Sequence, residues 1–364
     1  MIAAATSAAS SANTSATASA QYELALPVQT LPANAGLGWE IGRAFAQHGL
    51  TPPVEHLFVG SPLRQGWLAG RETFDQRTLK PRRCTQLWLQ LRTHAWARGR
   101  SFEDVQLTPN FLRQIDVAVC PITRQMLNDR RGDPQSRSID RVRPDAGYAA
   151  GNVAVLSRTA NAAKAGHDHA GAVALAQSVA LGPIQQIAGL GPVEWQRIAV
   201  LCSFVTELPH EEAAQLPMTV LPPNRLRLFN PIQALQALVT RHFATPDWHP
   251  RLARLKALLP TEQSRVDFDR FVLAFAPRML VASKQTDPQQ IRWALEDAWQ
   301  QPLVLKRWTR FALQLSAAQA ESLVLRASEK GWTGSQRVQR HPKKSATEGW
   351  ALERRGFVSP ASRH

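Results

Sequence analysis

Cysteine is scarce in this chain. The 364 residues hold three, Cys84, Cys120 and Cys202, far apart and in no Cys-x-x-Cys pair. That spacing argues against a disulfide framework and for a reducing compartment. It also withholds the four closely spaced soft ligands of a zinc knuckle, so no zinc is expected. No apolar run reaches the ~20 residues that span a bilayer, so no membrane partner is expected. Residues 1–21, MIAAATSAASSANTSATASAQ, lack a basic start and a Leu-rich run. They read as a disordered Ala/Ser/Thr-rich tail rather than a signal peptide, and the expected location is cytoplasmic. Acid is in deficit: 28 Asp and Glu face 43 Lys and Arg, a formal net charge of +15. Such an excess favours a polyanionic partner, because cations steer and hold phosphates without regard to sequence. The dominance of Arg favours nucleic acid, although a GC-rich coding sequence enriches Arg by itself.

What is present is a globular composition, 44% hydrophobic and 20% charged, with enough length for two or three domains. The expected fold class is α+β, mostly α-helical, with a central ββα unit flanked by helical regions. Residues 22–110 form the first helical region. Its clearest helix runs near Thr85 to Arg98, where Leu87, Trp88, Leu91 and Ala95 recur at helical spacing. Trp88 and Trp96 are read as core residues, with base stacking as the alternative. Ser101 to Asp104 and Thr108-Pro109 both read as helix starts. Residues 111–170 hold the ββα unit, and a helix continuing from Lys164 is expected to reach about Leu181.

Residues 171–334 read as a helical C-terminal domain punctuated by prolines. Asp287-Pro288 opens one helix, Ser316 to Gln319 forms a capping box, and Gly331 is a stop. Residues 335–364 form a basic tail, with Trp350 and Phe357 as hints that part of it docks.

The chemistry concentrates between Cys120 and Lys164. A Cys-Pro turn leads to a short polar strand, Ser138 to Val142, and a reversal through Pro144 and Gly147 follows. Gly151-Asn152 then opens a second strand, Val153 to Leu156, and a helix carries Asn161 and Lys164. This order, with Cys-Pro-Ile-Thr, Ser-Ile-Asp-Arg, Gly-Tyr-x-x-Gly-Asn-Val and Asn-x-x-Lys in sequence, resembles the metal-binding finger of HNH (His-Me finger) endonucleases, in particular bacterial and phage-type HNH-like sequences. It covers about 45 residues. An ordinary ββα unit, in which Asn152 fills a turn and Asn161 decorates a helix, is the competing reading.

The resemblance implies a nuclease site. Asp140 falls on the metal-binding carboxylate and Asn161 on a second ligand for a divalent cation, Mg²⁺ or Mn²⁺. Asn152 matches the Asn that orients the catalytic His. Arg141, Arg143, Arg158 and Lys164 would grip the phosphates of nucleic acid, double-stranded DNA above all. The departure lies at Arg141, which stands where the family has its general-base His. Arg keeps its proton and cannot take one from water, but it can bind phosphate bidentately. Three functions therefore stand open: a metal-dependent DNA endonuclease with another base or none, a non-catalytic HNH-fold protein binding nucleic acid or protein, and an interaction protein with an accidental likeness. Oligomeric state and the role of residues 171–334 are not legible.

Overall fold

A computed structural model describes residues 33–130, 132–245, 247–282, 287–333 and 338–352. Four helices open this part of the chain: α1 (Ala33–Gln47), α2 (Pro62–Phe74), α3 (Arg83–Ala97) and α4 (Pro109–Ile115). Two strands follow, β1 (Arg137–Arg141) and β2 (Val153–Ser157), then the one-turn-plus helix α5 (Arg158–Lys164). The remaining helices are α6 (His169–Leu181), α7 (Pro192–Ser203), α8 (His210–Gln215), α9 (Pro231–Phe243), α10 (Trp248–Ala257), α11 (Glu262–Ala282), α12 (Pro288–Ala298), α13 (Pro302–Ala312) and α14 (Ala317–Glu329). The protein is thus mostly helical with a single two-stranded antiparallel sheet among the described residues. None of the described helices is long and apolar enough to cross a membrane.

Local chemistry places the helix starts. Thr108 caps α4 by accepting from the Phe111 N–H, Asp287 caps α12 through Gln289, and Ser316 with Gln319 completes a capping box on α14. In each case a side-chain oxygen satisfies an amide that the helix cannot. Gly331, at φ +68°, follows the end of α14. Ser101 to Asp104 does not start a helix. Phe102 instead bridges to Tyr148, and the Tyr148 N–H donates to the Ser101 carbonyl. Tertiary pairing there overrides a local capping signal.

Two further expectations are corrected. The helix through Lys164 does not continue to Leu181, because Ala165 adopts φ +42° and donates back to the Asn161 carbonyl, ending α5. Asp168 then caps a new helix, α6, by accepting from Gly171 N–H. Pro277 does not break its helix either: α11 runs 21 residues through it. Pro277 has no N–H to offer the Leu273 carbonyl, and Leu273 is 72% exposed, so water can reach that turn at the outer face of the helix.

Two apolar cores result. Ile41, Phe45, Leu63 and Leu89 form a small cluster among α1, α2 and α3. Trp88 and Trp96 pack against it, with indole N–H groups donating to the carbonyls of Leu107 (2.7 Å) and Asn34 (2.7 Å). A much larger cluster joins the strands to the C-terminal helices, from Leu91 to Leu352. Its densest part is aromatic: Phe243, Phe271 and Phe275 pack on one another, and Trp299 and Trp308 meet edge to face at 5.4 Å. The sheet is therefore embedded in a helical body, and all five β2 residues are buried.

Candidate functional site

The register of the sheet pairs Ile139 with Val155, Asp140 with Ala154 and Arg141 with Val153. Alternate residues of a strand share a face, so Ser138 and Asp140 look one way and Ile139 and Arg141 the other. On α5, Asn161 and Lys164 are three apart and also share a face. The two faces meet in order. Asn161 Nδ2 donates to Ser138 Oγ at 2.6 Å, and Lys164 Nζ donates to Asp140 Oδ1 at 3.1 Å. Helix α5 thus lies along β1 in the same direction, clipped to it at two points.

The second clip is an internal ion pair. Lys164 is fully buried and Asp140 is 3% exposed. The ammonium lies 3.1 Å from each carboxylate oxygen and also donates to the Arg141 carbonyl at 2.9 Å. Burial pushes the Asp140 carboxyl above the ordinary carboxylate range, and the charges of Lys164 and Arg141 pull against that rise. A divalent ion needs hard oxygen ligands with room for waters. Here the ammonium occupies the space 3.1 Å from both carboxylate oxygens, bonding Oδ1 and leaving buried Oδ2 without a hydrogen bond among the described residues. Asn161 turns its amide nitrogen, not its oxygen, toward β1. The residues as arranged do not fit a bound Mg²⁺ or Mn²⁺. No other cluster of three or more His, Cys, Asp or Glu suited to a metal occurs among the described residues.

Arg141 points to the opposite side of the sheet. Its Nη1 donates to the carbonyls of Pro144 and Ala146, both at 3.0 Å, and its guanidinium lies 5.3 Å from the Tyr148 ring centroid. His94 packs edge-on to the same tyrosine. Burial, then the charges of Arg98 and Arg141, hold its pKa at about 4, so no protonated imidazole stands beside Arg141 near neutral pH.

Asn152 is fully buried and closes the reversal between the strands. Its Oδ1 accepts from the Arg143 N–H at 2.8 Å, and its Nδ2 donates to the carbonyls of Arg143 and Gly147. Asn152 therefore organises the loop that carries Arg143, whose guanidinium is paired with Asp145 at 2.9 Å.

The structure therefore separates the residues singled out from the sequence. Asp140, Asn161 and Lys164 come together on one face of β1. Arg141 lies on the other face, and Asn152 and Arg143 lie in the loop beyond it. Lys164, expected to grip phosphate, has no surface with which to do so. Arg158 is exposed at the first turn of α5, away from the loop. The histidines after Asn161 also diverge. His169 is buried and hydrogen-bonded to the Ala199 carbonyl, while His167 is exposed and packs on Trp195. Cys120 is buried, its sulfur accepting from the Ser157 N–H, and the Cys202 thiol is pushed up to about 12 chiefly by burial.

Sequence reasoning missed the surroundings of the loop. Residues 222–231 and 338–347 rise on either side of it and enclose a cleft of about 2190 Å³. Arg141, Arg143, Arg225, Arg227, Arg340 and Lys343 line it. The segment ending at Leu352 is anchored by Trp350, which is fully buried, donates to the Ala150 carbonyl at 3.1 Å and stacks on Phe229. Its own carbonyl accepts from the Gly147 N–H. The lone Trp in a basic stretch was the available signal. Phe357 lies outside the described residues.

Compared with protein-family models, curated proteins and solved structures, the chain matches none.

Proposed function

We propose that this protein binds nucleic acid through an HNH-like ββα unit that no longer carries a catalytic metal. The carrying observation is the Asp140–Lys164 pair, 3.1 Å apart and closed to solvent. An ammonium offers Asp140 the positive charge that a cation would offer, and it holds the helix on the strand in the same way. It provides no vacant position for water or phosphate, which a metal needs in order to act as a Lewis acid. The Arg at position 141 agrees with this reading, since it supplies charge without a base. What remains is a rigid scaffold with a cationic loop, on a chain of net charge +15.

The test is incubation of the purified protein with supercoiled plasmid and Mg²⁺ or Mn²⁺, alongside binding measured across salt. Binding that falls steeply with salt, and plasmid left intact, is the expected result. Metal-dependent nicking, lost in both Asp140→Ala and Asn161→Ala, would overturn the proposal in favour of a working endonuclease.

A further inference from the structure

The cleft beside the hairpin loop has a charge pattern that its own structure does not use up. Its lining carries eight Arg and Lys residues against four carboxylates, Asp145, Asp168, Glu207 and Glu321. Each of those acids is already engaged. Asp145 pairs with Arg143, Glu207 with Lys343 and Glu321 with Arg340, and Asp168 caps α6. Arg141 and Arg225 are different. Their hydrogen bonds run to neutral oxygens, Arg141 to the Pro144 and Ala146 carbonyls and Arg225 to the Gln114 side chain. Among the described residues neither forms a direct ion pair with a carboxylate, although the charge of Arg141 is felt by Asp140. A neutral acceptor orients a guanidinium while leaving its charge for an anion, and a guanidinium's planar fork matches phosphate.

Arg225 is also held in an uncommon conformation. It is a non-glycine residue at φ +64°, at the tip of the turn after Pro222-Pro223, and it is exposed. The turn itself sets that conformation: the Leu226 N–H donates to the Pro223 carbonyl, which makes Arg225 the third residue of a β-turn, where a positive φ is the type II geometry. Gln114 fixes it from the side: its side chain accepts from Arg225 Nε, and its backbone carbonyl accepts from Asn224 Nδ2. The size of the cleft also bears on the ligand. At about 2190 Å³ it exceeds the roughly 300–1,000 Å³ of a small-molecule site, which leaves room for a stretch of a polymeric anion.

We infer that this cleft is where the nucleic acid is held, by the phosphates of its backbone, with Arg225 as an outer grip and Arg141 and Arg143 at the loop. The inference rests on the reading above and adds a location to it. The contacts are to backbone, so they carry little sequence choice.

The test is fluorescence anisotropy of a short labelled oligonucleotide, as single strand and as duplex, between ~50 and ~200 mM salt. Arg225→Glu is compared with wild type and with Arg254→Glu, the same charge change on exposed Arg254 of α10, outside the cleft. Arg225→Glu is expected to weaken binding about tenfold at the lower salt, with Arg254→Glu close to wild type. Arg225→Asn tolerates the left-handed backbone and serves if the Glu variant fails to fold. It should lower the slope of log affinity against log salt by about 0.7 for a single strand or about 0.9 for a duplex. Binding that is salt-sensitive yet indifferent to Arg225 would overturn the location and leave the nucleic-acid reading intact. No binding of either oligonucleotide by the wild type would remove both.

Discussion

Lys164 and Arg225 carry the same formal charge in opposite circumstances. Lys164 is sealed in the body of the protein with its ammonium against Asp140, and nothing outside can reach it. Arg225 stands at a turn tip, steadied by an amide and without an ion-pair partner among the described residues. One cation contributes to the fold, and the other is available to a ligand. Net charge alone would count them as equal. Their different roles come from the partner each has found and from the water each has lost or kept.

Removing one half of the buried pair should break the comparison most visibly. Lys164→Ala leaves a buried carboxylate without its counter-ion, and unfolding by denaturant should reveal a loss of about 3–5 kcal/mol. Asp140→Leu combined with Lys164→Met replaces the pair by apolar bulk and should recover most of that loss. If the single variant proves as stable as wild type, the pair does not hold α5 to β1.

A third cation-forming group sharpens the contrast. His242 is 3% exposed, its Nε2 has no hydrogen-bond partner among the described residues, and burial, with the charge of Arg251 adding to it, lowers its pKa to about 4. Between the ordinary value of 6.5 and about 4, the unfolded chain takes up a proton that the folded chain refuses. The stability this group contributes is therefore complete above pH 6.5 and lost as the pH falls toward 4, on the order of 3 kcal/mol in all. Denaturation of wild type and His242→Phe at stepped pH checks this, with the variant expected to show a shallower decline over that window. Parallel curves would mean that His242 takes up its proton within the fold.

The smallest effect is expected at the cleft wall. Gly151 sits at φ +87°, and a Cβ there would lie 2.8 Å from Arg227 Cγ, while the Arg227 N–H donates to the Gly151 carbonyl. Gly151→Ala should cost about 1–3 kcal/mol in backbone strain and push Arg227 aside. Thermal melting would report the first effect, and oligonucleotide anisotropy a weaker affinity from the second. Unchanged melting would show that the wall accommodates a methyl group.

Much of the frame was legible because its signals are local. Thr108-Pro109, Asp287-Pro288 and the box from Ser316 to Gln319 each place a cap beside the amides it serves, and the structure starts helices at all three. The two strands were legible within a residue, since Pro144, Gly147 and Gly151-Asn152 mark where the chain must turn and the short segments with Ile139, Val153 and Val155 mark where it extends. The break after Lys164 was not. Alanine is a strong helix former, and only Gly166, one residue too late, hinted that α5 would stop at Ala165.

The site divides along the same line. The spacing of Asn161 and Lys164 gave them a common face, but which strand residues that face would meet depends on how α5 lies on β1. Proximity on a motif suggested a phosphate grip, and the register made Lys164 an internal counter-ion instead. The cleft was out of reach altogether. Arg143, Arg225 and Lys343 are brought together only by the packing of segments about 80 to 200 residues apart, and no period or cap foretells such a meeting.

The anchor at Trp350 has a consequence in time. Its indole closes on Ala150 across 200 residues of chain, so one wall of the cleft leaves the ribosome long after the hairpin it packs against. The hairpin and the helices packed on it can assemble while synthesis continues, since domains fold as their residues emerge. During that interval the loop of Arg143 stands open on one side. A chain that stalls before Val338 would thus carry β1, β2 and α5 without the enclosure around their loop. The cleft is whole only once Trp350 has been made and has found Ala150.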